Sequence, residues 1–232
     1  AAPSHVLREV VSHARAWVSP GAIAVVATKG IERESFALMT DVVEQELRGH
    51  AVVALSGPSF AAEVANRQPT AVVAASAYAA AAALTQQAFS APHFRVYSHD
   101  DVIGVELGGA IKNVMAVATG ISDGLGLGFN ARAALITRGL AEMMRLGSVM
   151  GAHPQTFAGL AGIGDLVLTC TGALSRNRQV GLEIGKGATL AEVLAGRETV
   201  AEGVVTTEST KALAESRGVE MPIVTAVHRV LF

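Results

Sequence analysis

Lysine is uncommon inside an apolar helix, and Lys112 lies in one. Residues 101–130, DVIGVELGGAIKNVMAVATGISDGLGLGFN, read as a helix that starts at Asp100 or Asp101, continues with apolar residues at helical spacing, and leaves through a glycine-rich exit. Lys112 and Asn113 follow one turn after Gly108 and Gly109. A glycine inside a helix costs about 1 kcal/mol relative to alanine. Two together beside a lysine make a local conflict, and such conflicts mark functional sites. Glycine admits another backbone or a ligand, and a desolvated lysine loses proton affinity and becomes usable as a base. Two readings stand: either Lys112 points into a site, or the glycines serve tight helix packing and Lys112 snorkels to solvent.

Other groups could join it. Asp165 sits in the apolar run 161–180, AGIGDLVLTCTGALSRNRQV, flanked by Ile163, Leu166 and Leu168. A carboxylate buried there requires a partner. Ser175-Arg176-Asn177-Arg178 puts a hydroxyl, two guanidiniums and an amide into four residues. That group can grip a phosphate, and it is equally readable as a solvated loop. Two polar, glycine-bearing turns, Thr28-Lys29-Gly30 and Ser56-Gly57-Pro58-Ser59, follow short β-rich runs. Ligands bind at the carboxyl ends of strands in open parallel sheets, although Lys-Gly and Gly-Pro are also ordinary turn dipeptides. Cys170 is the only cysteine and reads as a buried structural residue rather than a nucleophile. The seven histidines are scattered, with no pair at metal-ligand spacing.

The elements that must hold these groups change character along the chain. Up to residue 101, strand and helix signals alternate. Helices are expected over 6–17, over 35–47 with Glu44 and Glu46 outward, over 61–66, and over an alanine-rich stretch after 75 capped by Ser76. Strands are expected over 22–28, 52–55, 70–75 and 94–98. This alternation predicts a doubly wound, parallel α/β sheet. From residue 101 onward only helices are expected: 131–150 capped by Asn130, 156–168, 180–185, 189–194, 206–217 and 223–231, with Thr189 and Thr206 as further caps. The expected division is therefore an α/β part, 1–101, and an all-α domain, 102–232.

Composition narrows the function classes. Charged residues are 16% and the formal net charge is −2, so there is no basic surface to suggest a nucleic-acid partner. A chain with one cysteine forms no internal disulfide, which suits a cytoplasmic location. Mean hydropathy is +0.41, but the most apolar run, 71–84, is shorter than the roughly 20 residues a membrane span needs. No membrane span is expected.

Taken together, the motifs resemble the bacterial-type NAD(P)-dependent glycerol-3-phosphate dehydrogenases. The likeness is carried by Thr28-Lys29-Gly30, by 56–61 (SGPSFA), by the run from Glu106 through Lys112-Asn113 to Gly128, by 162–169 with Ser175-Arg176-Asn177, and by Val200-Ala201-Glu202-Gly203. These lie in the family's order over nearly the whole chain. The resemblance implies hydride transfer between NAD or NADP and the pair dihydroxyacetone phosphate and sn-glycerol 3-phosphate, feeding glycerophospholipid synthesis, and it leaves room for a homodimer. It makes Lys112 the proton acceptor. It places Lys29 where substrate and cofactor meet, and Gly57, Ser59, Asp165, Ser175, Arg176 and Asn177 on the substrate. Ala61, Arg176, Val200 and Glu202 would border the cofactor, with Asn113 and Thr169 as weaker substrate-side candidates.

One departure is large. The family opens with a strand, a G-x-G-x-x-G turn and a helix, for which 1–232 has no counterpart, and the family's sequence runs on past Phe232. The chain is therefore expected to be a piece of a longer protein. Two other readings stay open: a related dehydrogenase of a small hydroxy acid, and a folded module that is not catalytic by itself.

Overall fold

Short β-rich runs in the first hundred residues form one four-stranded sheet in the computed structural model, which describes residues 1–195 and 201–232. The strands are β1 (Ala24–Val26), β2 (Val52–Ser56), β3 (Thr70–Ala75) and β4 (Phe94–His99), side by side in chain order. The helices among them are α1 (Leu7–Ala14), α2 (Met39–Glu46), α3 (Ala61–Ala65) and α4 (Ala79–Phe89). After the sheet come α5 (Val102–Gly124), α6 (Gly128–Val149), α7 (Pro154–Phe157), α8 (Asp165–Thr171), α9 (Arg176–Gly185), α10 (Leu190–Ala195), α11 (Glu202–Ser216) and α12 (Pro222–Leu231).

The sheet is mixed rather than wholly parallel. β1 pairs with β2 and β3 with β4 in parallel, but β2 and β3 run antiparallel, with Ala54 opposite Ala75. The connection explains it. Gly57 turns the chain at φ +140, and α3 has five residues, a rise of only about 7 Å, too little to carry the chain back to the far end of the sheet. β3 therefore starts where β2 stops.

Several helix boundaries differ from those expected. The helix expected over 35–47 starts only at Met39, because Phe36 adopts φ +58 and Ile31 bridges to Leu38. Glu46 does not point free into solvent but pairs with Arg8 at 2.9 Å. Ser76 does not cap α4. Its hydroxyl donates to the Val52 carbonyl and accepts from the Tyr78 N–H, which ties the helix entry to β2. Asn130 is inside α6, which begins at Gly128 without a side-chain cap, and Thr206 is buried inside α11. The helix expected over 156–168 is instead three pieces: α7, a wide π-type turn at Leu160–Gly164 with Gly162 off helical geometry, and α8.

α5 is the axis of the molecule. Asp101 caps it, accepting from the Gly104 N–H at 2.9 Å, and the same carboxylate accepts from the His153 N–H and the Thr156 hydroxyl. Every residue from Gly104 to Gly120 is buried, and the largest apolar cluster is built on Leu107, Ile111, Val114 and Met115 with Met143, Phe157, Leu166 and Leu213. α5 is also long and apolar enough to cross a membrane, but here it is the core helix. Two glycine pairs, Gly120 with Gly124 and Gly181 with Gly185, let α5 and α9 touch backbone to backbone. A methyl group on Gly120 would overlap the Arg178 carbonyl, and one on Gly181 the Val117 carbonyl.

Candidate active site

The two helix glycines that stand out in the sequence have separate reasons. A side chain at Gly108 would overlap the Ala161 carbonyl, so this glycine lets the wide turn before α8 lie against α5. A side chain at Gly109 would meet the Ser56 hydroxyl and the methylenes of Lys29, so this one lets the Lys29 stem cross α5. Both approaches bring charge to Lys112, which does not snorkel: it is buried.

Asp165, the first residue of α8, is completely buried between two lysines. Lys112 Nζ donates to its Oδ1 at 2.5 Å, and Lys29 Nζ donates to its Oδ2 at 2.6 Å. Lys112 also donates to the Thr169 hydroxyl at 2.8 Å, which in turn donates to the Asp165 carbonyl one helical turn back. Lys29 also donates to the Gly57 carbonyl at 3.1 Å. The wide turn is what aims α8 so that Asp165 and Thr169 both face α5.

The electrostatics of this row settle a competition that the sequence leaves open. Burial and then the like charge of Lys29 push the Lys112 pKa down, against the opposing pull of Asp165, and the balance lies at about 8. A buried amine near that value exchanges a proton readily around neutral pH. Neutral, it keeps two N–H donors for Asp165 and Thr169 and has a lone pair left to accept a proton.

A second set of contacts leads from Lys112 to α9 and α11. Asn113 accepts from the Asn177 side-chain amide at 2.9 Å, and the Asn177 carbonyl oxygen accepts from the Gly203 N–H at 2.9 Å. Asn177 thereby joins α5, α9 and the start of α11. Ser175 caps α9 by accepting from the Arg178 N–H at 3.3 Å and is buried, so its hydroxyl is committed to the helix. Arg178 is committed too, to Asp123. Arg176 is different. It is exposed at the first position of α9 and has no hydrogen bond or ion pair among the described residues.

Gly57 and Ser59 lie at the end of β2, with the Ser59 hydroxyl donating to the Gly57 carbonyl at 3.1 Å. Ala61 opens α3, whose first turn has no side-chain cap. Glu202 opens α11 and holds Ser4 by two bonds, Ser4 N–H at 3.0 Å and Ser4 hydroxyl at 2.6 Å. Gly30 lies against that same Ser4. Val200 falls outside the described residues.

The Ser4–Glu202 contact is not legible in the sequence, because the two residues are 198 positions apart and nothing around Ser4 marks it as a partner for a carboxylate. Buried Glu106, which accepts from the Thr40 N–H at 2.9 Å and from the Thr40 hydroxyl, had a signal: it is a carboxylate in an otherwise apolar run.

An α/β part whose strand ends converge with helical-domain lysine, aspartate and asparagine side chains is the plan of a dinucleotide-dependent dehydrogenase, and the comparisons agree with it. Residues 1–82 match the N-terminal model, and 101–232 the C-terminal model, of NAD-dependent glycerol-3-phosphate dehydrogenase. The chain belongs to the NAD-dependent glycerol-3-phosphate dehydrogenase family. Among its relatives is glycerol-3-phosphate dehydrogenase [NAD(P)+] of Geobacter metallireducens, 58% identical over 234 residues, which span 99% of this chain and 70% of that one. The enzyme of the same name from Citrifermentans bemidjiense is 56% identical over 233 residues, with the same shares. A crystal structure of glycerol-3-phosphate dehydrogenase from Coxiella burnetii superposes with a TM-score of 0.95 at 46% identity, covering 99% of this chain and 70% of that one. DsGPDH of Dunaliella salina superposes with a TM-score of 0.91 at 28% identity, covering 99% and 42%.

Proposed function

We propose that this chain carries the substrate site of an oxidoreductase that interconverts sn-glycerol 3-phosphate and dihydroxyacetone phosphate with NAD or NADP. The observation that carries the reading is the Lys29–Asp165–Lys112 row, in which Asp165 and Lys112 are buried and Lys29 is half-buried, with Lys112 tuned to about 8. Lys112 accepts the proton of the substrate C2 hydroxyl as the alcohol is oxidised and returns it to the carbonyl oxygen as the ketone is reduced. Asp165 holds both lysines in place and compensates their charge. Thr169 and Asn113 flank Lys112 as polar groups for the substrate hydroxyls. The end of β2, with Gly57 and Ser59, forms the opposite wall, and Lys29 stands between substrate and cofactor.

The phosphoryl group falls to the start of α9. Arg176 is a guanidinium without a partner among the described residues, beside Asn177 and at a helix N-terminus, and a dianion satisfies all three. Ser175 shapes that end of the helix. Binding at the phosphate then positions C2 at Lys112, so remote binding strength serves the chemical step.

The residues fit a nicotinamide dinucleotide as well. The uncapped first turn of α3 at Ala61, Arg176, Lys29 and the Glu202 end of α11 would hold it. When bound, the nicotinamide supplies or accepts the hydride. On this reading 1–101 is the cofactor side and 102–232 the substrate side. A cytoplasmic location and a homodimer go with the proposal, the latter supported by the exposed Leu125, Leu127 and Phe129 at the α5–α6 turn. A hydroxy-acid substrate is the competing choice, and the unpaired Arg176 favours a phosphorylated polyol over it.

The test is turnover of dihydroxyacetone phosphate by the full-length protein and its Lys112→Ala variant. The expected result is loss of activity of about a thousandfold or more, with the fold retained as read by far-UV circular dichroism. Near-normal turnover in the variant would remove Lys112 from the mechanism.

A further inference from the structure

Asp123 belongs to none of the groups placed at the substrate, yet its carboxylate accepts four hydrogen bonds. It sits next to the C-terminal residue of α5 and is buried but for a small edge. Its Oδ1 accepts from Arg132 Nε at 2.9 Å and Nη2 at 2.7 Å. Its Oδ2 accepts from Arg178 Nε at 3.0 Å and Nη2 at 2.7 Å. Four charge-assisted bonds thus join α5, α6 and α9 at one carboxylate.

The placement runs against two ordinary preferences. A carboxylate near a helix C-terminus faces the negative end of the dipole. A half-buried ionic cluster loses hydration that its pairing only partly restores, and apolar residues of the same size often do as well. What the network does provide is direction. Arg178 is two residues from Arg176 and one from Asn177. Its backbone N–H is held by Ser175 and its side chain by Asp123. The glycine contacts of α5 with α9 set the distance between the two helices, and the Asn113–Asn177 bond ties the first turn of α9 to the middle of α5. Asp123 adds a second, charged tie to α5 at the same end of α9, the end that carries Arg176.

We propose that Arg132, Asp123 and Arg178 form a positioning network that presets the first turn of α9, so that Arg176 and Asn177 meet the phosphoryl group of the substrate in a fixed register. Arg178 is then a structural cation and not a phosphate ligand, although the sequence offers it beside Arg176. The proposal rests on the reading that Arg176 holds the phosphate, and the experiment separates the two.

The measurement is steady-state kinetics on the full-length protein, with dihydroxyacetone phosphate as substrate, NADH or NADPH as cofactor, and inorganic phosphate as a competitive probe. Asp123→Asn keeps the shape and removes the charge. It is expected to raise KM for the substrate and Ki for phosphate about tenfold, with the pH limb of kcat/KM that Lys112 sets left in place. Asp123→Glu, which restores the charge, should lie between Asp123→Asn and the wild type. If Asp123→Asn does not fold, Arg132→Lys, which keeps the charge but loses the fork, must show the same pattern. Arg176→Ala is measured in parallel and should raise both constants more, about a hundredfold. If Arg176→Ala leaves them unchanged, the phosphate reading fails and the positioning role with it. If Arg176→Ala raises them but the network variants lower only the thermal midpoint, the network is scaffold alone and the proposal is overturned.

Discussion

At the scale of single residues, the site is a balance of charges around Lys112. Burial and Lys29 drive its pKa from 10.5 down to about 8, and Asp165 opposes them. Oxidation of the alcohol requires the neutral amine, so kcat/KM for glycerol 3-phosphate should rise with pH and level off above about 8. Lys29→Met removes the like charge while keeping much of the stem. The same limb should then move to higher pH, because one of the two forces lowering the value is gone. A limb that stays in place or moves down would show that Lys29 does not act on Lys112 through its charge. The linkage to stability has its own sign. The native state holds this proton less tightly than the unfolded chain, so Lys112 contributes stability that grows as pH rises from about 8 towards 10.5.

At the scale of elements, the contact of α5 with α9 depends on what is missing. Gly120, Gly124, Gly181 and Gly185 remove four side chains, and the backbones meet where those side chains would be. Gly181→Ala would drive a methyl group into the Val117 carbonyl, a backbone atom that does not move without moving the helix. The expected loss is about 1–3 kcal/mol, measured as a lower midpoint in urea with the slope unchanged. The same variant should weaken substrate binding, because the Asn113–Asn177 bridge crosses this contact. A midpoint equal to the wild type would mean that the two helices are not held this closely.

At the scale of the whole molecule, the α/β part and the helical part meet at a titratable group. Glu106 of α5 accepts from the N-terminus of α2, and both Ile31 and Leu38 from the loop before α2 lie in the helical core. Burial is the largest influence on this carboxyl and raises its pKa to about 7, against the hydrogen bonds from Thr40 that lower it. The native state therefore keeps a proton that the unfolded chain releases near 4.5, so stability is fullest below that value and falls as pH rises through about 7. Glu106→Gln should flatten the thermal midpoint between pH 4.5 and 7 relative to the wild type. An unaltered pH dependence in the variant would show that Glu106 does not titrate in this window.

The chain read alone determines its alternation of strand and helix up to 101, its helices beyond, and most of the residues that meet at Asp165. Those signals are local: a lysine and two glycines in an apolar helix, an aspartate between apolar neighbours, and four polar residues in a row. Local signals do not carry direction. That β3 turns back against β2 depends on how far five residues of α3 reach, and that Thr169 joins Lys112 depends on the bend at Gly162. Arg176 and Arg178 look alike as letters. Only the tertiary structure puts Asp123 beside one of them and leaves the other open, because charge pairing is decided by which helices come together, and four glycines far apart in the sequence decide that.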